Sequence, residues 1–161
     1  MLKDILSPSD CAKCRVCCVF DHYDLWESPI IPDEMKKSLS ELDPELEFIP
    51  RNDSWVFNMN GSDDGLYYCP MLTDNGCRLG DSKPFDCRIW PYRVMDFRGR
   101  FVITIASICP VMYKKPLNAL IAELDSGLAD TIFAEAENNP DIIKEYDNGY
   151  PILKVGGYIG E

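Results

Sequence analysis

The sequence predicts an α+β fold in which a small antiparallel sheet carries a loop-rich cysteine metal site and helices form the C-terminal end. Three observations lead to this prediction. Residues 92–97 and 101–108 read as the two strands of a β-hairpin. Residues 117–138 carry apolar side chains at helical spacing. The segments 11–18 and 69–110 hold all eight cysteines.

The N-terminal half is predicted to alternate short elements with turns. Ser9 or Asp10 caps a short helix that runs through the first cysteines. Pro32 opens a second helix to about Leu42, because proline and acidic residues suit a first helical turn. Strand-like pieces follow at residues 46–49 and 55–59, then a turn at 60–65 and a loop-rich stretch over 69–91.

The C-terminal part, residues 117–147, is predicted to be mainly helical. Gly127 splits or bends the helix over 117–138, since glycine is a poor residue in a helix interior. Pro140 starts a last short helix. Residues 150–159 form an extended tail.

Length and composition predict one soluble cysteine-cluster domain over residues 1–161. The net charge of -11 disfavours nucleic acid and anionic lipid, because no basic surplus is present to meet phosphate. The first residues lack the apolar core of a signal peptide, and no apolar run approaches the roughly 20 residues that span a bilayer. We therefore expect a cytoplasmic protein with no membrane association.

The cysteines are the residues that indicate function. In a chain without a secretion signal, clustered cysteines more often bind metal or do redox chemistry than form disulfides. The predicted metal ligands, which are also the predicted cofactor-binding residues, are Cys11, Cys14, Cys17, Cys18, Cys69, Cys77, Cys87 and Cys109. No specific small-molecule substrate is identified, and no catalytic residue is predicted.

The first four cysteines follow the pattern C-x-x-C-x-x-C-C, which is similar to the start of the bacterial ferredoxin run. Adjacent side chains tend to diverge, so Cys17 and Cys18 are the natural place for two ligand sets to separate. One set is then Cys11, Cys14 and Cys17 with a remote cysteine, and Cys18 joins the others. A single cluster with structural leftover cysteines is the alternative.

Basic residues flank several of these cysteines, at Lys13, Arg15, Arg78, Lys83 and Arg88. Such cations stabilise clustered thiolates in an acidic chain. The competing interpretation is that they are ordinary surface cations.

Three motifs in order resemble the YkgJ-type CxxCxxCC cysteine-cluster family, whose members are described as zinc- or iron-chelating. They are CAKCRVCC at residues 11–18, CPMLTDNGCR at 69–78 and KPFDCRIWP at 83–91, followed by Cys109-Pro110. Lys83 replaces the family's usual arginine, and Gly80 stands where an aromatic residue is common. Residues 111–161 carry none of the resemblance. It implies metal binding by the cysteines and no particular reaction.

Three functions remain open at this point. The first is one or two [4Fe-4S] iron–sulfur clusters for electron transfer or for an accessory or assembly subunit, which the CxxCxxC triple favours over zinc. The second is a structural zinc module for protein–protein interaction. The third is a protein lysine methylase-like enzyme, because a flagellin lysine methylase shares the cysteine signature. The short chain lacks a glycine-rich cofactor loop, which disfavours an enzyme.

Four further expectations concern the metal site, the histidine and the surface. The eight cysteines are predicted to converge in space, and metal removal is predicted to unfold residues 7–20 and 69–91. His22, the one histidine, is predicted to be structural or solvated more often than a ligand. Six Met, eight Tyr and three Trp in a small acidic chain predict a protein partner.

Overall fold

The computed structural model describes residue 2, residues 6–21 and residues 27–160. The contacts divide the chain into two compact units where the sequence predicts one domain. We call Pro8–Arg88 the cysteine unit, and Met1–Ser7 with Ile89–Glu161 the sheet unit. Short, mostly antiparallel sheets and C-terminal helices confirm the predicted α+β class.

The cysteine unit begins with the predicted short helix. Helix α1 spans Pro8–Cys14, and Arg15 then adopts a left-handed backbone with φ of 59°. This residue ends the helix, and a 3-10 turn over Val16–Cys18 leads into strand β1, Val19–Phe20. The four clustered cysteines therefore lie on two different local structures.

A helix and a hairpin follow at the predicted places. Helix α2 spans Asp33–Leu42 after Pro32, and strands β2, Phe48–Arg51, and β3, Ser54–Phe57, pair as an antiparallel hairpin. The predicted strand pieces at 46–49 and 55–59 differ from these bounds by one or two residues. The turn itself fixes the register, because Asn52 takes the positive φ that a tight turn needs.

The second half of the cysteine unit contains elements that the sequence predicted as loop. Strands β4, Asn60–Gly61, and β5, Tyr67–Tyr68, join β1 in a sheet of order β1-β5-β4. Strands β6, Leu72–Thr73, and β7, Gly76–Cys77, form a two-stranded hairpin. A 3-10 turn over Gly80–Ser82 and helix α3, Phe85–Ile89, complete the segment. These elements are too short for periodicity to reveal them.

An apolar core stabilises the cysteine unit despite its short strands. Its buried members are Ile31, Leu39, Phe57, Met59, Met71 and Leu79. Cys69 and Cys77 pack against this core. Both cysteines therefore contact the same core.

The sheet unit is built on the predicted hairpin. Strands β8, Tyr92–Phe97, and β9, Arg100–Ile105, turn at Arg98 and Gly99, whose φ angles are both positive as a type I′ turn requires. The C-terminal elements are helix α4, Leu117–Glu123, a π-helical segment, Leu124–Leu128, helix α5, Ala129–Asn138, strand β10, Lys144–Glu145, and strand β11, Ile152–Tyr158.

The four strands of this sheet have the order β10-β8-β9-β11, and β10 pairs in parallel with β8. The helices cover the face that carries Tyr92 and Phe101. The Tyr92 hydroxyl donates a hydrogen bond to the Leu120 carbonyl at 2.9 Å, and the rings of Phe101 and Phe133 lie 6.1 Å apart. Within the described part of the chain, no helix combines the length and apolar character needed to cross a membrane.

Candidate metal centre

Cys17 and Cys18 are positioned by the backbone reversal at Arg15. The Arg15 guanidinium donates to the Ala12 carbonyl at 3.1 Å and to the Asp74 carbonyl at 2.7 Å. These bonds tie the end of α1 to the β6–β7 turn while the chain folds into its 3-10 turn. The two sulfurs come to rest 3.9 Å apart, within hydrogen-bonding distance of each other.

Cys69 is joined to this turn through the backbone. Its N–H donates to the Cys18 carbonyl at 3.0 Å, which continues the pairing of β1 with β5. The Leu72 N–H then donates to the Cys69 carbonyl at 2.9 Å and turns the chain into β6. Cys77 pairs with Leu72 across the β6–β7 hairpin, so that it returns toward Cys69.

Cys87 lies on the short helix α3. Its neighbour Asp86 accepts a hydrogen bond from the Ile30 N–H at 2.9 Å, which fixes the helix against the chain before α2. Burial is the main cause that raises the pKa of the Cys87 thiol well above its ordinary value. The negative charges of Cys69, Cys17, Asp86 and Cys77 raise this pKa further.

The pKa values of the Cys69 and Cys17 thiols are also raised by burial and by neighbouring cysteines. Burial raises the pKa of Cys69 to about 12, and the Cys77 and Cys17 thiolates contribute to the rise. The hydrogen bond with Cys18 is the main cause that raises the pKa of Cys17 far above its usual range, followed by burial. Four thiols from positions 17, 69, 77 and 87 therefore share one electrostatic neighbourhood inside the cysteine unit.

Cys11 and Cys14 occupy α1, three residues apart and so on one face of the helix. The helix packs against β7 at Ala12. A Cβ added to Gly76 would stand 3.1 Å from the Ala12 Cβ, so glycine permits the close approach. The structure thus brings α1 beside the hairpin that carries Cys77.

Cys109 belongs to the sheet unit, unlike the other seven cysteines. It is 5% exposed and clusters with Met112 and Leu120 in an apolar environment. Burial among apolar side chains is the usual setting of a structural cysteine. The prediction that all eight cysteines converge stays a prediction.

Four of the five cations predicted to flank the thiolates have defined interactions, and one of these four acts on a thiol. Arg78 forms an ion pair of 2.8 Å with Asp43, and Arg88 lies over the Phe85 ring at 5.4 Å. Arg15 holds the backbone carbonyls described above. Lys83 lowers the pKa of Cys17, so its positive charge acts directly on a thiol.

The residue types fit a sulfur-ligated metal, because cysteine thiolates are the ligands of iron–sulfur clusters and of structural zinc. Among residues 2, 6–21 and 27–160, no group of three or more His, Cys, Asp or Glu side chains is arranged to hold a metal ion. His22 lies outside the described residues.

Asp74 and Gly76 help to form the site, although the sequence analysis assigns them no role. Asp74 accepts the Arg15 hydrogen bond, and Gly76 admits α1. The Asp74-Asn75-Gly76 stretch is a strong tight-turn signal, and reading it as a hairpin would have revealed how Cys77 returns to Cys69.

Comparison with known proteins provides no further assignment, since no family model, curated protein or solved structure matches this chain.

Proposed function

We propose that this chain binds metal through its cysteines as an iron–sulfur protein, with a role in electron transfer or as an accessory or assembly subunit. The observation that carries the proposal is the shared neighbourhood of Cys17, Cys69, Cys77 and Cys87. Up to 70 residues separate them in sequence, and each of the three shifted pKa values includes a neighbouring cysteine among its causes.

The physical argument concerns charge. Several thiolates in a poorly hydrated site repel one another, so each stays protonated unless positive charge is supplied. A bound metal centre supplies that charge, and the ligands then lose their protons as the metal binds. Without a bound metal, these four thiols would be an unusually large number of cysteines in one protein interior.

The experiment is elemental analysis of protein purified without oxygen. We expect brown protein that contains iron and acid-labile sulfide and bleaches in air. Iron without sulfide, or no metal at all after anaerobic reconstitution, would contradict an iron–sulfur centre.

A structural zinc module is the second candidate, and one distance favours it. Two thiolates on a tetrahedral zinc, each about 2.3 Å from the ion, stand about 3.8 Å apart. The sulfurs of Cys17 and Cys18 are 3.9 Å apart. Colourless protein with stoichiometric zinc and no sulfide would establish this alternative.

The thiols also support the proposed compartment. Clustered cysteines that bind metal are typical of compartments where cellular reductants maintain thiols. We propose a cytoplasmic protein for this reason.

We further propose a protein partner. Exposed apolar side chains of the sheet unit support this, with Ile108, Leu117, Val155 and Tyr158 each more than half exposed. A strictly monomeric protein that captures no partner by crosslinking in its native extract would argue against it.

A further inference from the structure

We propose that the outer edge of strand β11, Ile152–Tyr158, pairs antiparallel with the same strand of a second copy of this chain, about a two-fold axis at Val155. Two sheets of order β10-β8-β9-β11 thereby become one continuous sheet. The inference rests on the proposed protein partner and deepens it, because it names both the partner and the surface. It does not depend on the proposed metal.

The first observation is that β11 has a free edge. It stands at one end of the order β10-β8-β9-β11, and β9 pairs with one of its sides. Within the described part of the chain, no strand pairs with the other side. With seven residues, β11 is also the longest strand described. A long edge strand presents a row of backbone donors and acceptors with which another strand pairs.

The backbone bonds of β9 show which groups of β11 face outward. The Ala106 N–H donates to the Pro91 carbonyl at 2.9 Å, next to β8. The Ile105 N–H donates to the Pro151 carbonyl at 3.2 Å, next to β11. Backbone groups of successive residues in a strand point to opposite sides. The even-numbered residues of β9 therefore bond to β8, and the odd-numbered residues bond to β11.

Three residues of β11 consequently direct their N–H and C=O groups away from β9, because they lie opposite even-numbered residues of that strand. They are Ile152, Val155 and Tyr158, which lie opposite Thr104, Val102 and Arg100. The side chains of the same three residues are 36%, 52% and 52% exposed. Exposed apolar side chains and outward-facing backbone groups therefore occur at the same positions.

The spacing of these positions selects a second copy as the partner. Register shifts between Ile152 and Lys154 and between Val155 and Tyr158 each add one residue to β11. Outward-facing groups therefore recur every three residues, whereas those of a regular strand recur every two. Such shifts ordinarily protect an edge from pairing. Here they lie on either side of Val155, so a second β11 has the matching spacing and a regular strand does not.

The side chains suit this register. Antiparallel pairing places Val155 opposite Val155, and Ile152 opposite Tyr158 on both sides of the axis. Cross-strand pairs of an aromatic and a β-branched residue are favourable. Residues 153–154 then face residues 156–157 of the second copy, which are both glycine and present no side chain to collide with.

Contacts within the sheet unit hold β11 in this shape before it pairs. Lys154, the one charged residue of the strand, forms an ion pair with Asp125. The Arg100 guanidinium donates to the Gly156 carbonyl at 2.9 Å and lies 4.9 Å from the centre of the Tyr158 ring. The first contact lies at one register shift and the second at the other. The edge is therefore ordered in advance, which lowers the entropy cost of association.

Sedimentation velocity of the full wild-type chain over a range of concentrations tests whether the dimer forms. Reductant is present throughout, so that intermolecular disulfides do not imitate it. We expect a reversible equilibrium between monomer and dimer. A monomer at every concentration would overturn the inference.

Charge-swap variants test the axis. Because position 155 lies opposite itself, Val155→Lys and Val155→Glu each set like charges against each other, and each is expected to weaken the dimer about tenfold or more. An equimolar mixture of the two sets opposite charges together and is expected to dimerise again. Ile108→Lys is the control, since Ile108 is 51% exposed and lies outside β11. Val155 variants that dimerise like wild type, or a mixture that stays monomeric, would overturn the proposed register.

Hydrogen exchange of the wild-type protein, resolved by residue with NMR, gives a test that requires no variant. The amides of Ile152, Val155 and Tyr158 are expected to become protected as the concentration rises. The Lys154 amide is the control and should be protected throughout, because it lies opposite the odd-numbered Ile103 and bonds to β9. A dimer in which the three outward amides exchange as fast as in the monomer would place the interface elsewhere.

The possible failures are distinguishable. A monomeric wild-type protein that crosslinks to a different protein in its native extract overturns the second copy and keeps the proposed protein partner. A monomer that crosslinks to nothing contradicts both proposals. Neither result bears on metal binding, because β11 contains no cysteine.

Discussion

At the residue scale, single polar groups fix the loops that lead to the thiols. The Asp64 carboxylate accepts hydrogen bonds from the Ser62 hydroxyl, the Leu66 N–H and the Tyr68 hydroxyl. These bonds lower the pKa of Asp64 below its ordinary value of 3.8. The loop they hold ends at β5, directly before Cys69.

We predict that Asp64→Asn lowers the melting temperature slightly at neutral pH and not in acid. A depressed folded-state pKa gives stability that is fully present above the unfolded value of 3.8 and is lost as the pH falls through the lower folded value. Thermal melts between pH 2 and 7 measure this, with the exposed neighbour Asp63 changed to Asn as control. An unchanged difference between variant and wild type across that range would count against the bonding scheme.

Gly76 is a second residue that the fold requires, because glycine has no side chain. Its φ of 99° is unfavourable for any side chain, and a Cβ would press on Ala12 at 3.1 Å. We predict that Gly76→Ala destabilises the protein by about 1–3 kcal/mol, since strain and overpacking act together.

Gly65 provides the matched control for this prediction. It also has positive φ, at 79°, but a Cβ there would meet nothing within 4 Å. Denaturant unfolding of Gly65→Ala should therefore show the strain without the overpacking. Equal losses in the two variants would show that the contact with Ala12 is not significant.

At the element scale, the C-terminal helices show how one glycine shapes a long periodic segment. Gly127 has φ of 105° inside the π-helical segment between α4 and α5. The bend predicted at this position is confirmed. A left-handed residue interrupts the hydrogen-bond ladder, and the two helices then each place an apolar side toward the sheet.

Strand β11 depends on another glycine for its packing. A Cβ at Gly156 would lie 2.9 Å from the Phe133 ring and 3.1 Å from the Phe101 Cβ, while one at Gly157 would meet nothing within 4 Å. We predict that Gly156→Ala costs about 1–3 kcal/mol because α5 and the sheet must separate slightly. This corresponds to about 2–4 °C in melting temperature for each kcal/mol.

Gly157→Ala is the control and should change the melting temperature by less than Gly156→Ala does. Differential scanning calorimetry of both variants measures the difference. If Gly157→Ala were the more damaging change, the packing of β11 on α5 would be wrong.

At the scale of the whole molecule, the two units differ in what stabilises them. The sheet unit has strands of six and seven residues and a helical layer. The cysteine unit contains several two-residue strands around a small apolar core. Metal ligation contributes folding free energy directly in small sites of this kind.

We therefore predict that chelation loosens residues 8–20 and 69–88 and leaves the hairpin of β8 and β9 protected. Hydrogen exchange measured by mass spectrometry, with and without chelator under anaerobic conditions, compares the two regions in one sample. The hairpin is the internal control. Equal protection of the cysteine segments before and after chelation would show that the apolar core alone orders them.

Several features were determined by the sequence alone. Helix α2, the β8–β9 hairpin, the break at Gly127 and the extended tail all follow from local signals, namely a first-turn proline, an Arg-Gly turn, helical spacing and a glycine. The cysteine types and their spacing also indicated sulfur-ligated metal. These properties depend on neighbouring residues, so the sequence displays them.

The tertiary structure decided how the cysteine segments are arranged. A left-handed Arg15 separates Cys14 from Cys17, a hydrogen bond from the Cys69 N–H to the Cys18 carbonyl joins two distant motifs, and Cys109 falls in the other unit. The tertiary structure also decided which partners the flanking cations have. Arg78, for example, forms an ion pair with Asp43. Such pairings depend on contacts between residues that are far apart in the chain. The free energies of these contacts cannot be read from a local sequence pattern.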